Sequence, residues 1–507
     1  MSNRHVRSVA TVLAFTAATA LALTSCAGNG APDSSDDAQA GGADERIRVS
    51  MMSAPAAGLD PYSDEALKLS RWSTGETLVQ LDENIETKPM LATDWVQVDD
   101  LTWKFTIREG VTFHDGTELT PETVVNALES AAKWPTPPRV LNGVSITPAV
   151  TGDDEVTITT DVPDPLLPSR LANPQLAIFA ESAYEGEIVD PIGTGTGPFV
   201  IASIDGTTTA SLDRYDDYWG DPAGIAGIDV SFVPDGLARA AAIRTSESDV
   251  VESIPVAQLS VIDEGLLHAV ASPRSTFVAL NTESGPFADP AIRAAARAAV
   301  DPEKILEAVY EGNADLATGL IGPAVPWAAD LRGDVSSSTA PGDAQGVEIT
   351  LATWTDRAEL PEIAVQLQSQ LEAVGFVVTM DIREWANIEG PMLEGEFDAV
   401  VMSRGTLSDT GDLLSFFTTD FTCEGGFNTA QLCDAGVDSL ISTGLQTPIG
   451  EDRQKATMAA EAGILQIDAA IPLVHDRIVQ GDNGAFTDVI KDPLERRLIT
   501  AATKPAA

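Results

Sequence analysis

Residues 91–128, LATDWVQVDDLTWKFTIREGVTFHDGTELTPETVVNAL, constrain the fold more tightly than any other part of the chain. Residues 102–108 alternate polar and apolar and set Trp103, Phe105 and Ile107 on one face. That pattern predicts a half-buried strand with those three side chains in the core. Glu109-Gly110 and Phe113-His114-Asp115-Gly116 supply two turn signals. His114 reads as a turn residue bonded to its own backbone, because a lone histidine has no metal-ligating partners near it in sequence. Thr120-Pro121-Glu122 then opens a helix, with Thr120 as N-cap, Pro121 at the first helical position and Glu122 at the positive helix end.

The remaining segments read in the same way. Residues 47–51 are an opening strand, 66–79 a helix, and 144–160 a hairpin turning at Gly152-Asp153-Asp154. Residues 275–282 form an apolar strand ending in polar residues. The helix after it buries Ile292, Ala296 and Ala299 or Val300, and Asp301-Pro302 caps the next one. Residues 348–352, 358–374 and 376–382 read as strand, helix and strand, which implies a parallel pair. Residues 397–403 are a further strand. The glycines of Gly193-Thr194-Gly195-Thr196-Gly197 lack the Lys-Ser/Thr of a phosphate loop, so they read as a close backbone crossing. No repeat of fixed period is visible, which excludes a solenoid.

A chain of 507 residues exceeds one ordinary core, so two or three domains are expected. Asp and Glu number 77 against 30 Lys and Arg, a formal charge of −47, which argues against nucleic-acid binding and against docking on anionic lipid. The acidic surface either keeps an exported protein soluble or focuses cationic solutes toward a cleft. At the N-terminus, Arg4 and Arg7 precede an apolar run from Val9 to Leu23, too short for a comfortable membrane span. Leu23-Thr24-Ser25-Cys26 follows and resembles a bacterial lipobox. Residues 1–25 are therefore expected to be a signal peptide, and Cys26 the site of lipid attachment on the outer face of the cell membrane. An ordinary secreted protein is the alternative. Residues 26–45, small, polar and acidic, read as a flexible tether.

The pattern carried by Pro89, Leu91, Ala92, Trp95, Phe105, Arg108, Gly110, Val111, Phe113, His114, Asp115, Gly116, Thr120 and Val124 resembles the signature of the peptide/nickel solute-binding proteins of ABC importers, family 5. LDPY at 59–62, GTGPF at 195–199, YWG at 218–220 and IDAAIPLVHDR at 467–477 add to that resemblance, which spans nearly all of 47–500. It implies an α/β, periplasmic-binding-protein-like fold (type II, cluster C) of two lobes joined by hinge strands, with an extra subdomain in the first lobe. The boundaries it suggests are lobe I at 46–275 with a subdomain at about 80–185, lobe II at 276–478, and a return to lobe I at 479–507. Tyr218 and Trp219 are expected in the core or near the hinge.

The implied function is to capture short peptides or similar amine-bearing solutes between the lobes and deliver them to an ABC permease with its ATPase. A nickel or metallophore complex is the alternative ligand, and a lipoprotein sensor or adhesin the alternative role. A monomer without cofactor or catalytic residues is expected. No GxSxG and no HExxH occurs, and the chain has four histidines, so a hydrolase is disfavoured. Residues 404–412 resemble the family loop whose first Asp pairs with a peptide's α-amino group. By that spacing the counterpart is Asp409, with Asp412 as the second Asp; a turn cap is the other reading of Asp409. Thr406 stands where the family carries Trp, and Leu413 where it carries Pro. Some peptide binders hold the ligand carboxylate with an Arg at the start of the long helix. Here Arg357 is only nearby, which makes Arg404 a candidate replacement. Arg404, Thr406, Asn281, Asp409 and Asp412 are thus the expected ligand-binding residues, with no resident metal. An exported chain also predicts a disulfide between Cys423 and Cys433, leaving Cys26 as the odd, lipidated one; a zinc site is the alternative.

Overall fold

The computed structural model describes residues 44–507, apart from Ala56, Asp64, Asp356, Ala358, Ser408, Asp409 and Ala507 and the side chain of Ala386. The expected signal peptide, Cys26 and nearly all of the tether lie outside the described residues, as does Asp409. The strand Arg46–Met51 opens the body and pairs in parallel with Gly227–Phe232.

The protein is a two-lobed α/β fold threaded by one sheet of eleven strands among the described residues. Val377–Arg383, Glu348–Trp354 and Ala399–Gly405 form the lobe II end of that sheet. Val250–Val251, Arg46–Met51, Gly227–Phe232, Thr209–Arg214 and Phe199–Asp205 form the lobe I end. Two long antiparallel strands join the ends: Leu267–Leu280 of 14 residues and Ala470–Asp482 of 13. Their lobe II halves are buried nearly throughout, as strands covered on both faces must be. The pairing loses register between Ala271 and Ser275, so residues 272–274 stand opposite the single residue Asp476. A proline inside the strand, Pro273, explains the bulge, because it cannot donate to the ladder.

Apolar side chains gather in separate cores. One, from Leu78 to Ala180, lies behind the four-stranded sheet of Ala92–Asp99, Thr102–Ile107, Glu155–Thr160 and Ile146–Val150. A second surrounds Arg46–Met51, and the largest runs from Phe277 to Val474. The organising stretch behaves as its pattern requires. Trp103, Phe105 and Ile107 are buried, and the strand Thr102–Ile107 alternates. The helix Pro121–Lys133 starts at an extended Thr120 whose hydroxyl accepts from the Thr123 N–H, while Thr123 returns a bond to Thr120 N–H. Glu348–Trp354, the helix Glu359–Ala373 and Val377–Arg383 form the expected parallel unit.

Two readings change. The helix expected over 66–79 ends at Arg71, and the chain continues into the strand Val79–Leu81. Ser73 adopts φ 51°, and Thr74 N–H closes the helix end on Leu69 carbonyl. From there the backbone must run beside the glycine segment. A Cβ on Gly197 would lie 1.9 Å from the Ser73 carbonyl oxygen, and one on Gly195 2.1 Å from that of Thr74. His114 does not bond its own turn either. Its N–H donates to Gly195 carbonyl at 2.8 Å and its ring Nε2 meets Gly197 carbonyl at 2.8 Å, so it ties the turn to that same crossing.

Cys423 and Cys433 form a disulfide. It closes the loop that carries Phe427, whose ring stacks on Trp385 with centroids 6.1 Å apart. Replacing both cysteines by Ser is expected to lower the free energy of unfolding by about 3 kcal/mol, the loop-closure entropy of so short a ring. Urea unfolding of the two proteins checks it, and an unchanged midpoint refutes it.

Candidate functional site

Two neighbouring cavities lie on the seam between the lobes, and a third adjoins them within lobe I. The one beside the bulge measures about 220 Å³, with Ser272, Pro273, Arg274, Gly405 and Leu407 on one wall and residues 493–496 on the other. The next, about 300 Å³, shares Leu407 and reaches Trp327, Asp412 and Arg453. The third, about 510 Å³, shares Pro174, Leu494 and Arg496 with the first and extends to Glu76, Tyr218 and Trp219. Ile85 and Leu494 pack against both the lobe II core and the core of residues 78–180, so apolar contacts bridge the seam.

The strand Ala399–Gly405 delivers the loop expected to hold ligand to this seam. Leu407, Gly411 and Asp412 line the second cavity, and Asp409 lies outside the described residues. Asp412 uses one oxygen to cap the helix Leu413–Phe421 through Leu414 N–H at 3.0 Å, and the other to bind Arg453. Thr406 is buried; both its N–H and its hydroxyl donate to Pro273 carbonyl, at 2.7 and 2.9 Å. It therefore pins the loop to the bulge of the crossing strand.

Arg404 and Asn281 are not among the described lining residues of these three cavities. The Arg404 guanidinium holds Asp420 through two bonds of 2.6 and 2.7 Å and lies 4.1 Å over the Phe427 ring. Its charge is matched inside lobe II, where burial pushes the Asp420 carboxyl up and Arg404 pulls it back. The Asn281 amide donates to Gly395 and Phe397 carbonyls and accepts from Glu283 and Ser284 N–H, which fastens the far end of the crossing strand. Arg357 is likewise engaged, with Glu359 at 2.7 Å and Asp476 at 2.8 Å.

Two groups beyond the expected set line these cavities. Arg274 lines the first cavity; the Ser-Pro-Arg break in an otherwise apolar strand was its only mark in the sequence. Glu76 is buried and collects three donors: Trp219 Nε1 at 2.7 Å, Thr196 hydroxyl at 2.8 Å and Tyr218 hydroxyl at 2.9 Å. The Arg108 guanidinium lies 4.4 Å over the Trp219 ring. Tyr218 and Trp219 thus join lobe I core to cavity wall. Among the described residues no three of His, Cys, Asp and Glu are gathered as a metal site.

Residues 86–428 match the profile of the bacterial extracellular solute-binding proteins, family 5, middle region. The chain is 27% identical over 449 residues to a probable di/tripeptide-binding protein 5 of Pseudomonas aeruginosa, covering 78% of this chain and 84% of that protein. It is 25% identical over 400 residues to the nickel-binding protein NikA of Staphylococcus aureus, covering 75% and 78%. The crystal structure of a nickel ABC transporter protein from Bacillus halodurans superposes with a TM-score of 0.78 at 25% identity, over 91% of this chain and all of that one.

Burial pushes the Glu76 carboxyl from 4.5 up to about 7, against the pull of its three donors and of Arg108. A carboxyl raised by the fold favours folding while protonated. Its contribution is complete below the unfolded value near 4.5 and is lost as pH climbs through about 7. The unfolding free energy of the wild type is expected to decline over that window more steeply than that of Glu76→Gln, by up to about 1.4 kcal/mol per pH unit. Urea midpoints at several pH values measure the difference; parallel slopes refute the assignment.

Proposed function

The chain belongs to the bacterial extracellular solute-binding proteins of family 5, and from that premise we propose that it captures short peptides or similar amine-bearing solutes between its lobes. Delivery to a membrane permease with its ATPase, from a lipid anchor on Cys26, completes the reading. The observation that carries it is the seam itself: paired crossing strands, a bulge between them, and contiguous cavities of ligand size beside it. The likeness to a di/tripeptide-binding relative supports the choice of ligand.

The loop of residues 406–412 supplies the amine partner. An ammonium group moved from water into a closing cleft needs a charge-assisted acceptor, worth roughly 1.5–3 kcal/mol. Asp409 is that acceptor. Asp412, with both oxygens engaged, holds the loop's exit, and Thr406 holds its entry. Arg404 and Asn281 serve the loop and the strand from behind. A nickel chelate is the second reading, favoured by the likeness to nickel-binding relatives. None of the three cavities has a histidine among its described lining residues, so a chelate would be held through its organic part.

Asp409→Asn is expected to weaken binding of a free-amine dipeptide or tripeptide by about 10- to 100-fold. Binding of the N-acetyl form should change little. Calorimetry with both peptides decides it, since equal weakening removes the amine role. Thermal-shift assays with nickel–histidine and nickel–citrate address the second reading, because a bound ligand raises the melting point by mass action. For the anchor, Cys26→Ser should move the protein from the membrane fraction into the medium; a variant that stays with the membrane sinks that part.

A further inference from the structure

The chain has a formal charge of −47, yet the cavity beside the bulge has three arginines in its described lining, Arg139, Arg274 and Arg496, against one carboxylate, Glu495. Arg274 differs from the guanidiniums around it. Arg357 holds Glu359 and Asp476, Arg404 holds Asp420, and Arg71 holds Glu495 at 2.7 Å. The carboxylates that act on Arg274, Asp476 and Glu495, are therefore each bonded to another arginine, and neither forms an ion pair with it. Among the described residues the one hydrogen bond of its guanidinium runs to the Ser403 carbonyl, at 3.3 Å.

We infer that Arg274 is the anion partner of the cleft: it receives a carboxylate of the bound solute, so the cargo class is one that carries a free carboxylate. The assignment rests on reading the seam as the ligand site. Its position follows from the register break. Residues 272–274 bulge away from the partner strand Ala470–Asp482, while Arg274 stays paired with Gly405 on its other side, and its side chain lines the cavity. The planar guanidinium offers two parallel donors, matched in geometry to a carboxylate. Half-burial raises the value of such a pair, because a partly desolvated charge gains more from its partner than an exposed one. Burial, followed by the positive charge of Arg357, lowers the proton affinity of Arg274 below the usual arginine range, as expected for a cation lacking a full counter-charge. The anionic end of the solute thus sits at the hinge bulge, and not at Arg357 near the start of the long helix. Arg357 has two carboxylates of its own.

The test compares tripeptides with free and amidated C-termini on the wild type, Arg274→Gln and Arg274→Lys, with succinate and citrate as simple carboxylate probes. On the wild type the free acid should bind about 10- to 100-fold more tightly than its amide. Arg274→Gln should bind the two alike, and Arg274→Lys should keep a reduced preference for the acid. Melting points without ligand show whether each variant is folded, and the acid–amide comparison on the wild type needs no variant. Equal binding of acid and amide by the wild type overturns the inference and leaves the peptide reading intact. So does a preference for acid that survives in Arg274→Gln. Protection of the wild type, but not of Arg274→Gln, by succinate or citrate, without binding of any peptide or nickel chelate, supports the anion site and overturns the peptide reading. Silence from every probe overturns both.

Discussion

The lobes are joined by two strands that belong to both. Leu267–Leu280 and Ala470–Asp482 pair along most of their length, and each contributes to the sheet on either side of the seam. A ladder that crosses a boundary keeps the two halves of a cleft in register without fusing them. The place where it yields is the bulge at residues 272–274, where three residues face one. That irregularity does three things together. It interrupts the regular pairing of the two strands, it offers the Pro273 carbonyl to Thr406, and it sets Arg274 on the cavity wall.

Charge is distributed with the same logic. The chain has few cations, and among the described residues many of its arginines are bonded to internal carboxylates: Arg404 to Asp420, Arg332 to Glu461, Arg297 to Asp468, Arg453 to Asp412. Such pairs offset the desolvation of both members only when geometry is good, and they leave little charge for a solute. A guanidinium with no such partner, on a cavity wall, in a chain this acidic, is therefore more informative than the same residue would be in a basic protein.

Glu76 shows how separate motifs converge. It lies in the run that follows the first helix, its donors come from the glycine segment and from the Tyr-Trp-Gly segment, and Arg108 belongs to the organising stretch. The close crossing of Ser73-Thr74 with Gly195 and Gly197 is what brings those segments within reach, and His114 fastens it from a third side. A buried carboxyl surrounded by donors is costly if any donor is removed, which gives these segments a shared reason to keep their residue types.

Local rules carried much of the fold. Period-two alternation placed Thr102–Ile107 and the hairpin strands Ile146–Val150 and Glu155–Thr160; a Thr-Pro cap placed the helix Pro121–Lys133; strand–helix–strand order placed the parallel pair in lobe II. These signals are legible because each is set by neighbours a few residues away. The readings that changed depend on distant partners. Nothing near Arg404 in sequence says that its charge belongs to Asp420, nor that Asn281 is used up on Gly395 and Phe397. The end of the first helix at Arg71 is decided by glycines more than a hundred residues on, and Arg274 gains its place from the register of two strands about 200 residues apart. Sequence determined the family, the elements and the likeness to a solute receptor, because those rest on residue types at fixed local spacing. Only the tertiary structure decided which cations and carboxylates remain for a ligand, because pairing of charges depends on distance in space.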